Sequence, residues 1–438
     1  MENTKNSTHE TDFPVKSVIM RSKIRFSRWL GGRLPSDEDR RLVVLTGARQ
    51  TGKTTLVRDR YPDLTYLTFD DIELREQVSG IRTSSWGRSV GAAILDEAQK
   101  APSVFEKVKF AYDAEEIDFS VLTGSSRILL LDNVRETLAG RAFVYELWPL
   151  MPSELRSEGG RELKQPLIDR IIGGDTNISD RLADEPEILL GEEDAGLRES
   201  FEHIVSWGGM PELARLDHED RKQWLTSYRA TFLERDLADL VRLTDLEPFS
   251  TLQKLCMLRT GCLLTLSKLA RDAHISPATT RRYLEYLRVS FQVILLPPYA
   301  KNLTSRVVKS PKVYWIDLGL LRSGTRRWGE VDGALFETFV VGEVWKWVAT
   351  MGREVDLFFY RTHSGFEVDL LLETTSGVIG AEIKHRDRPA PSDLRGLRKL
   401  AEALGTRWRG GLLVHRGDAL RCLDAEYRIW GVPAHRLF

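Results

Sequence analysis

The sequence predicts an α/β protein of several domains, and three stretches carry that prediction. LVVLTGARQTGKTTLV (42–57) is a short apolar run that meets a glycine-rich turn. LSKLARDAHISPATTRRYLEYL (266–287) has apolar residues at helical spacing on both sides of a turn. EVDLFFYRT, FEVDLLLE and GVIGAEIKHR, in that order between 354 and 386, are apolar runs of strand length that carry charges. With 438 residues the chain exceeds the ~250–300 at which one hydrophobic core stops growing, so roughly two to four domains are expected.

Composition narrows the class. The chain is 42% hydrophobic and 29% charged, ordinary for a globular protein. Its 63 Lys+Arg balance 64 Asp+Glu, a formal net charge of -1, which excludes a global field toward nucleic acid or membrane. Any nucleic-acid contact needs a local basic patch. Cys256, Cys262 and Cys422 form no CxxC and have no His at zinc-ligand spacing, and read as reduced core thiols of a cytoplasmic protein. The start, MENTKNSTHETDFPVK, is polar and lacks a signal peptide's apolar segment, so residues 1–18 are expected to be a disordered tail. No stretch reaches the ~18 apolar residues of a membrane span.

Leu42 to Thr46 reads as a strand, and Gly47, Gly52, Lys53 and Thr54 then satisfy G-x-x-x-x-G-K-[ST] where that strand hands over to a helix. Such a loop, here Gly47, Ala48, Arg49, Gln50, Thr51, Gly52, Lys53, Thr54 and Thr55, turns backbone N–H groups around phosphate. Lys53 would reach the β- and γ-phosphates of ATP, and the Thr54 hydroxyl would ligate Mg²⁺. GAAILDEAQK (91–100) is a second buried strand, ending in Asp96 and Glu97. The first acid suits Mg²⁺, and the adjacent glutamate suits polarising the attacking water, so Lys53 and Glu97 are candidate catalytic residues. DFSVLTGSS (118–126) ends a third strand in Thr123 and Ser125. These two either sense a γ-phosphate or form an ordinary strand-to-turn ending.

These residues resemble an AAA-type ATPase family of bacteria and archaea, whose members join such a core to a C-terminal domain of unknown function. The likeness continues through LAGRAFVYELWPLMPSEL (138–155), WGGMPE (207–212) and FLERDL (232–237). It implies a P-loop ATPase core over 19–155 and a helical lid over 156–255. It also implies a role as arginine finger or sensor for Arg141, from the family's Gly-Arg pair after the third strand; capping a helix or pairing with an acid is the competing reading. A finger acting in trans would need a homo-oligomer. Within the lid, 156–200 is polar and acidic, with GGDTN and GEEDAG, and reads as an insertion or mobile loop.

From 264 the sequence has helix-turn-helix form. Leu266, Leu269 and Ala270 give one apolar face, ISP makes the turn, and the next helix exposes Thr279, Thr280, Arg281 and Arg282 while burying Tyr283, Leu284 and Leu287. FQVILLPPY then supplies a wing, and a winged helix is expected over 256–305. Arg281 and Arg282 are the candidate DNA contacts; a lid or packing module is the alternative.

DGALFETFVVGEVWKWVATMG (332–352) reads as an amphipathic helix ahead of the three charged strands. The order helix-Glu, strand-Asp, strand-Glu-x-Lys resembles the PD-(D/E)xK nuclease-like fold, and Gly333-x-x-x-Glu337 with V-D-L and E-I-K is similar to its Holliday-junction resolvase branch. The resemblance implies an α/β nuclease-like domain over 306–438. Glu382 and Lys384 lie two apart and project from one face of a strand. Glu337, Asp369 and Glu382 would be metal ligands, with Lys384 orienting water. Glu343 lies six residues after Glu337, on another face of the helix. The competing reading makes Glu382 and Lys384 a solvated pair at a sheet edge. The leading expectation is therefore an ATPase driving a DNA-acting C-terminal half; the alternative is a nucleotide-switched regulatory or scaffold protein that binds without cleaving.

Overall fold

Leu42 to Leu45 are all apolar, and a strand can bury every one of them only when both faces of its sheet are covered. β1 (Arg41–Gly47) meets that condition inside a five-stranded sheet with β2 (Thr65–Thr68), β3 (Ala93–Asp96), β4 (Phe119–Gly124) and β5 (Ala142–Leu147), ordered β2-β3-β4-β1-β5 and parallel throughout. Leu42 and Val44 pack one face with Phe105 and Val108; Val43 and Leu45 pack the other with Val57 and Phe119. Parallel neighbours need crossovers, which include helices α1 (Lys53–Arg60) and α2 (Ser103–Asp113). All strands thus end on one edge, which gathers Gly47, Asp96 and Gly124. The computed structural model describes residues 25–125, 127–174, 177–241, 246–299, 310–362 and 365–438; the expected tail at 1–18 lies outside them.

The helical middle comprises α3 (Glu192–Trp207), α4 (His218–Val241) and α5 (Glu247–Leu258). The expectation of a loop at 156–200 is overturned. A helix at Leu167–Ile172 buries Leu167, Ile168, Ile171 and Ile172, and its Asp169 accepts from Trp347 Nε1 (2.8 Å) and from both Nε and Nη2 of Arg353 (2.8 and 2.6 Å). Helices this short leave little periodicity among the charges that surround them.

After α5 come β6 (Cys262–Leu263), α6 (Leu266–Asp272), α7 (Pro277–Val289), β7 (Val293–Leu296) and β8 (Lys312–Trp315), the strands forming an antiparallel sheet ordered β6-β8-β7. The boundary expected at 305 therefore falls inside this unit, because β8 lies beyond it. Thr280, expected to be exposed, is fully buried, its hydroxyl bonded to the Ser276 carbonyl at 2.9 Å. The expected core thiols are also corrected: all three cysteines are free, but only Cys256 is buried.

The C-terminal part runs through α8 (Leu318–Thr325), α9 (Gly333–Met351), β9 (Asp356–Arg361), β10 (Glu367–Thr374), β11 (Gly377–Ile383), α10 (Arg395–Leu404), β12 (Trp408–His415), β13 (Arg421–Asp424) and β14 (Ile429–Pro433). Its six strands are ordered β13-β14-β12-β11-β10-β9. α9 is not amphipathic. It is enclosed by β8, β11, α3, α8, β5 and the 3-10 helix Trp29–Gly32, and buries Glu343 and Lys346 along with Phe336, Phe339, Val344 and Trp347. One continuous core joins the helical middle, the three-stranded sheet and one face of the six-stranded sheet. Among the described residues no helix is long and apolar enough to cross a membrane.

Candidate functional site

The glycines of the first loop are required by space and by backbone angle. A Cβ on Gly47 would lie 2.3 Å from the Leu147 carbonyl oxygen, and Gly52 caps α1 at φ +96°, a left-handed angle that side chains resist. The loop thereby folds over the start of α1. Lys53 is buried, and its Nζ donates to the carbonyls of Gly47 (3.0 Å) and Ala48 (2.9 Å). Thr51 Oγ1 bonds the Ala48 carbonyl at 2.8 Å, and Thr55 sits on the exposed side of α1. The Arg49 carbonyl accepts from Tyr228 of α4 at 3.2 Å, so the loop touches the helical middle.

β4 stands between β1 and β3, which brings Thr123 between the loop and Asp96. Buried Asp96 is held by three hydroxyls: Oδ2 accepts from Thr54 Oγ1 and Tyr66 OH, both at 2.7 Å, and Oδ1 accepts from Thr123 Oγ1. Burial, followed by the charge of Asp96, pushes the Tyr66 phenol upward. Glu97 takes a left-handed φ of +53°, an uncommon angle for a non-glycine residue that turns its side chain away from the strand direction. Its Oε2 accepts from Gln99 Nε2 (2.5 Å) and Ser125 Oγ (3.1 Å). Thr123 and Ser125 thus hold the two acids. The Thr54 hydroxyl and Asp96 carboxylate, 2.7 Å apart, are hard oxygen donors beside the loop and fit Mg²⁺.

Sequence reasoning missed Tyr66, Gln99 and Arg28. Arg28 ties the loop to the rest of the chain: Nη1 donates to the Thr51 carbonyl at 2.7 Å, Nη2 to the Trp148 carbonyl at 2.5 Å, and the guanidinium pairs with buried Glu154 at 3.2 Å. Only tertiary structure places residue 28 there. Tyr66 became legible once β2 was paired with β3. Arg141 corrects its expectation as a sensor. It precedes β5 at the edge of the sheet opposite the loop, about 20 Å away by strand rise, and forks onto Asp113 (2.6 and 3.0 Å). The acid-pair reading holds within this chain.

The structure does bring Glu337 of α9, Asp369 of β10, and Glu382 and Lys384 of β11 and its end together. A β-bulge between Val368 and Leu371 breaks the ladder at Asp369, whose Oδ2 accepts from the Ile383 amide at 2.9 Å. Lys384 Nζ pairs with Glu382 Oε1 at 2.6 Å. Unforeseen is Lys312 of β8, whose ammonium lies among the carboxylates: 3.0 Å from Glu337, 2.5 Å from Glu367 and 3.7 Å from Asp369. Its neighbour Tyr314 donates to Glu337 at 2.6 Å. Burial, then the charge of Asp369, pushes Glu382 up to about 8, and the same causes raise Glu337. Among the described residues no group of three or more His, Cys, Asp or Glu is placed to hold a metal ion, which corrects the expected Glu337, Asp369 and Glu382 ligand set. Glu343 faces elsewhere, paired with Lys346 at 2.6 Å and pushed up to about 7 by burial.

On α7, Arg281 and Arg282 are both exposed, with Arg282 against the Tyr283 ring. Ser276 caps this helix, accepting from the Thr279 amide at 3.1 Å, while Glu285 is drawn to Arg288 in an ion pair at 2.5 Å.

Family profiles match an AAA domain over residues 39–156, a domain of unknown function (DUF8612) over 198–327 and another (DUF4143) over 332–435. Uncharacterized protein Rv2008c of Mycobacterium tuberculosis is 30% identical over 370 residues, covering 80% of this chain and 72% of its own length. Uncharacterized protein MJ1544 of Methanocaldococcus jannaschii is 23% identical over 349 residues, covering 76% and 72%. Among solved structures, the Walker-type ATPase paby2304 of Pyrococcus abyssi is similar with a TM-score of 0.41 and 15% identity, over 65% of this chain and 90% of that one.

Proposed function

The chain belongs to the same family as its mycobacterial relative and carries an AAA domain, and from these we propose that it is a cytoplasmic, Mg²⁺-dependent ATP hydrolase whose nucleotide cycle controls a DNA-binding C-terminal half. The observation that carries the reading is the hydrogen-bonded line Thr54–Asp96–Thr123, from the first turn of α1 to the ends of β3 and β4, with Glu97 beside it. Lys53 exchanges its loop carbonyls for the β- and γ-phosphate oxygens of ATP, and the loop amides take the rest of their charge. Thr54 and Asp96 would hold Mg²⁺, which neutralises charge building on the phosphates. Glu97 accepts the proton of a water whose oxygen bonds the γ-phosphorus as the bond to the β-phosphate oxygen breaks, giving ADP and phosphate. Gln99 and Ser125 fix the Glu97 carboxylate for that role. Phosphate release tests the assignment: Lys53→Ala abolishes Mg²⁺-dependent turnover, and unchanged turnover sinks it.

DNA as partner is supported by the element order of 247–315. Helix, strand, two helices and two strands with a β6-β8-β7 sheet supports the winged-helix reading, and Arg281 and Arg282 are exposed on the second turn-linked helix. A second reading, a nuclease-like C-terminal domain that cuts, is favoured by one observation: Glu337, Asp369, Glu382 and Lys384 do converge. Metal-dependent cutting of single-stranded, duplex or branched DNA that disappears in Asp369→Ala while ATP turnover persists would establish it. We favour binding without cutting, because a lysine lies where the metal would act.

A further inference from the structure

We propose that Lys312 is the resident cation of the C-terminal carboxylate cluster, filling the position a divalent ion needs, so that the site takes such an ion only when the lysine is removed. The proposal rests on the nuclease-like reading of this fold and departs from it at the metal.

Glu337, Glu367, Asp369 and Glu382 come from a helix and two strands, and a metal would have to collect their oxygens at about 2.0–2.6 Å from one centre. That centre is already taken. The Lys312 ammonium stands within 3.0 Å of Glu337 and Glu367 and 3.7 Å from Asp369, with its side chain only 4% exposed. The lysine is built in rather than draped over the surface. It enters on β8, the middle strand of the three-stranded sheet, hydrogen-bonded to β6 on one side and β7 on the other. Tyr314, two residues on and on the same face, bonds the Glu337 oxygen that Lys312 also holds. Phe359 of β9 lies beneath the ammonium, 5.7 Å from it to the ring centre.

The remaining charge is also settled by the chain. Lys384 is committed to Glu382 at 2.6 Å, and Arg361 approaches Glu367 at 3.7 Å. A divalent ion entering beside Lys312 would meet an ammonium at contact distance and would have to strip Glu337 and Glu367 from it. Of the cluster's carboxylate oxygens, Glu382 Oε2 is buried and has no hydrogen-bond partner among the described residues, a position a cation could satisfy once Lys312 is gone.

The test is calorimetric titration of Mn²⁺ into the nucleotide-free full-length chain, comparing wild type, Asp369→Asn, Lys312→Met and Lys312→Met with Asp369→Asn. A wild-type-like far-UV circular dichroism spectrum and a single cooperative melting transition report that each variant folds. The proposal expects wild type and Asp369→Asn to give the same isotherm, and Lys312→Met to gain one site that Asp369→Asn removes. A wild-type site lost in Asp369→Asn overturns the proposal while leaving the nuclease-like reading intact, and this arm needs no lysine variant. Absence of any gained site in a folded Lys312→Met overturns both.

Discussion

At the P-loop, a carboxylate at a strand end is held by hydroxyls; at the six-stranded sheet, carboxylates from two strands and the helix α9 are held by ammonium groups. Asp96 receives Thr54, Thr123 and Tyr66, all neutral, so the charge of the site survives. Glu337, Glu367 and Asp369 receive Lys312, and Glu382 receives Lys384, so most of that charge is cancelled from within. Neutral donors can turn a lone pair toward an arriving cation, whereas a lysine occupies the cation's place. Two clusters of similar residue types therefore differ in what they can accept, and the difference lies in the residues that answer the acids.

The largest expected effect attacks the open site. Lys53→Ala should lower ATP turnover by about a hundredfold or more, by analogy with loss of one preorganised donor to developing charge, and steady-state phosphate release would measure it. Next is the strut under that site. Arg28→Ala leaves Glu154, 1% exposed, as a buried carboxylate without its cation, and should cost about 3 kcal/mol in urea unfolding. A loss under about 1 kcal/mol would show the pair to be a minor contact.

The closed site is sharpened by pH. Burial first, then Asp369, raises Glu382 from the ordinary 4.5 to about 8 in the folded chain. Between those values the native state keeps a proton that the unfolded state has released, so this contribution to stability is full below about 4.5 and is lost as pH rises through about 8. Glu382→Gln mimics the protonated form. It should match wild type in melting temperature near pH 5 and exceed it above pH 8; parallel curves would contradict the assignment. The smallest effect concerns α7: Arg281→Ala with Arg282→Ala should flatten the log K against log salt slope for duplex DNA by roughly 2, about 0.9 per phosphate contact. An unchanged slope would leave the unit as a packing module.

What was legible in the sequence follows from how locally each feature is encoded. The phosphate loop is a single run of residues, so Gly47 to Thr55 could be read without knowing the fold. Asp96 and Glu97 were equally plain, as charges closing an apolar strand. Lys312 obeys the same rule, a charge in the buried strand KVYW, and it was passed over because its partners lie 25 to 57 residues further on, on helix α9 and in another sheet. Arg28 left no local mark at all, since its meaning comes from Thr51, Trp148 and Glu154. The helices of 156–200 were hidden for another reason: turns of five or six residues among acids carry too few apolar positions to show a period. Arg141 was placed by family resemblance, and the register of β5 against β1 put it at the wrong edge of the sheet for its own nucleotide.

ATP turnover measured on wild type, Lys53→Ala and Glu97→Gln, with Mg²⁺ and with chelator, bears on the whole scheme. Wild type should hydrolyse ATP only with Mg²⁺; Lys53→Ala should lose turnover together with nucleotide binding, and Glu97→Gln should lose turnover while still binding. Turnover that survives in Lys53→Ala, or that proceeds equally in chelator, would contradict a P-loop ATPase built on Thr54, Asp96 and Glu97.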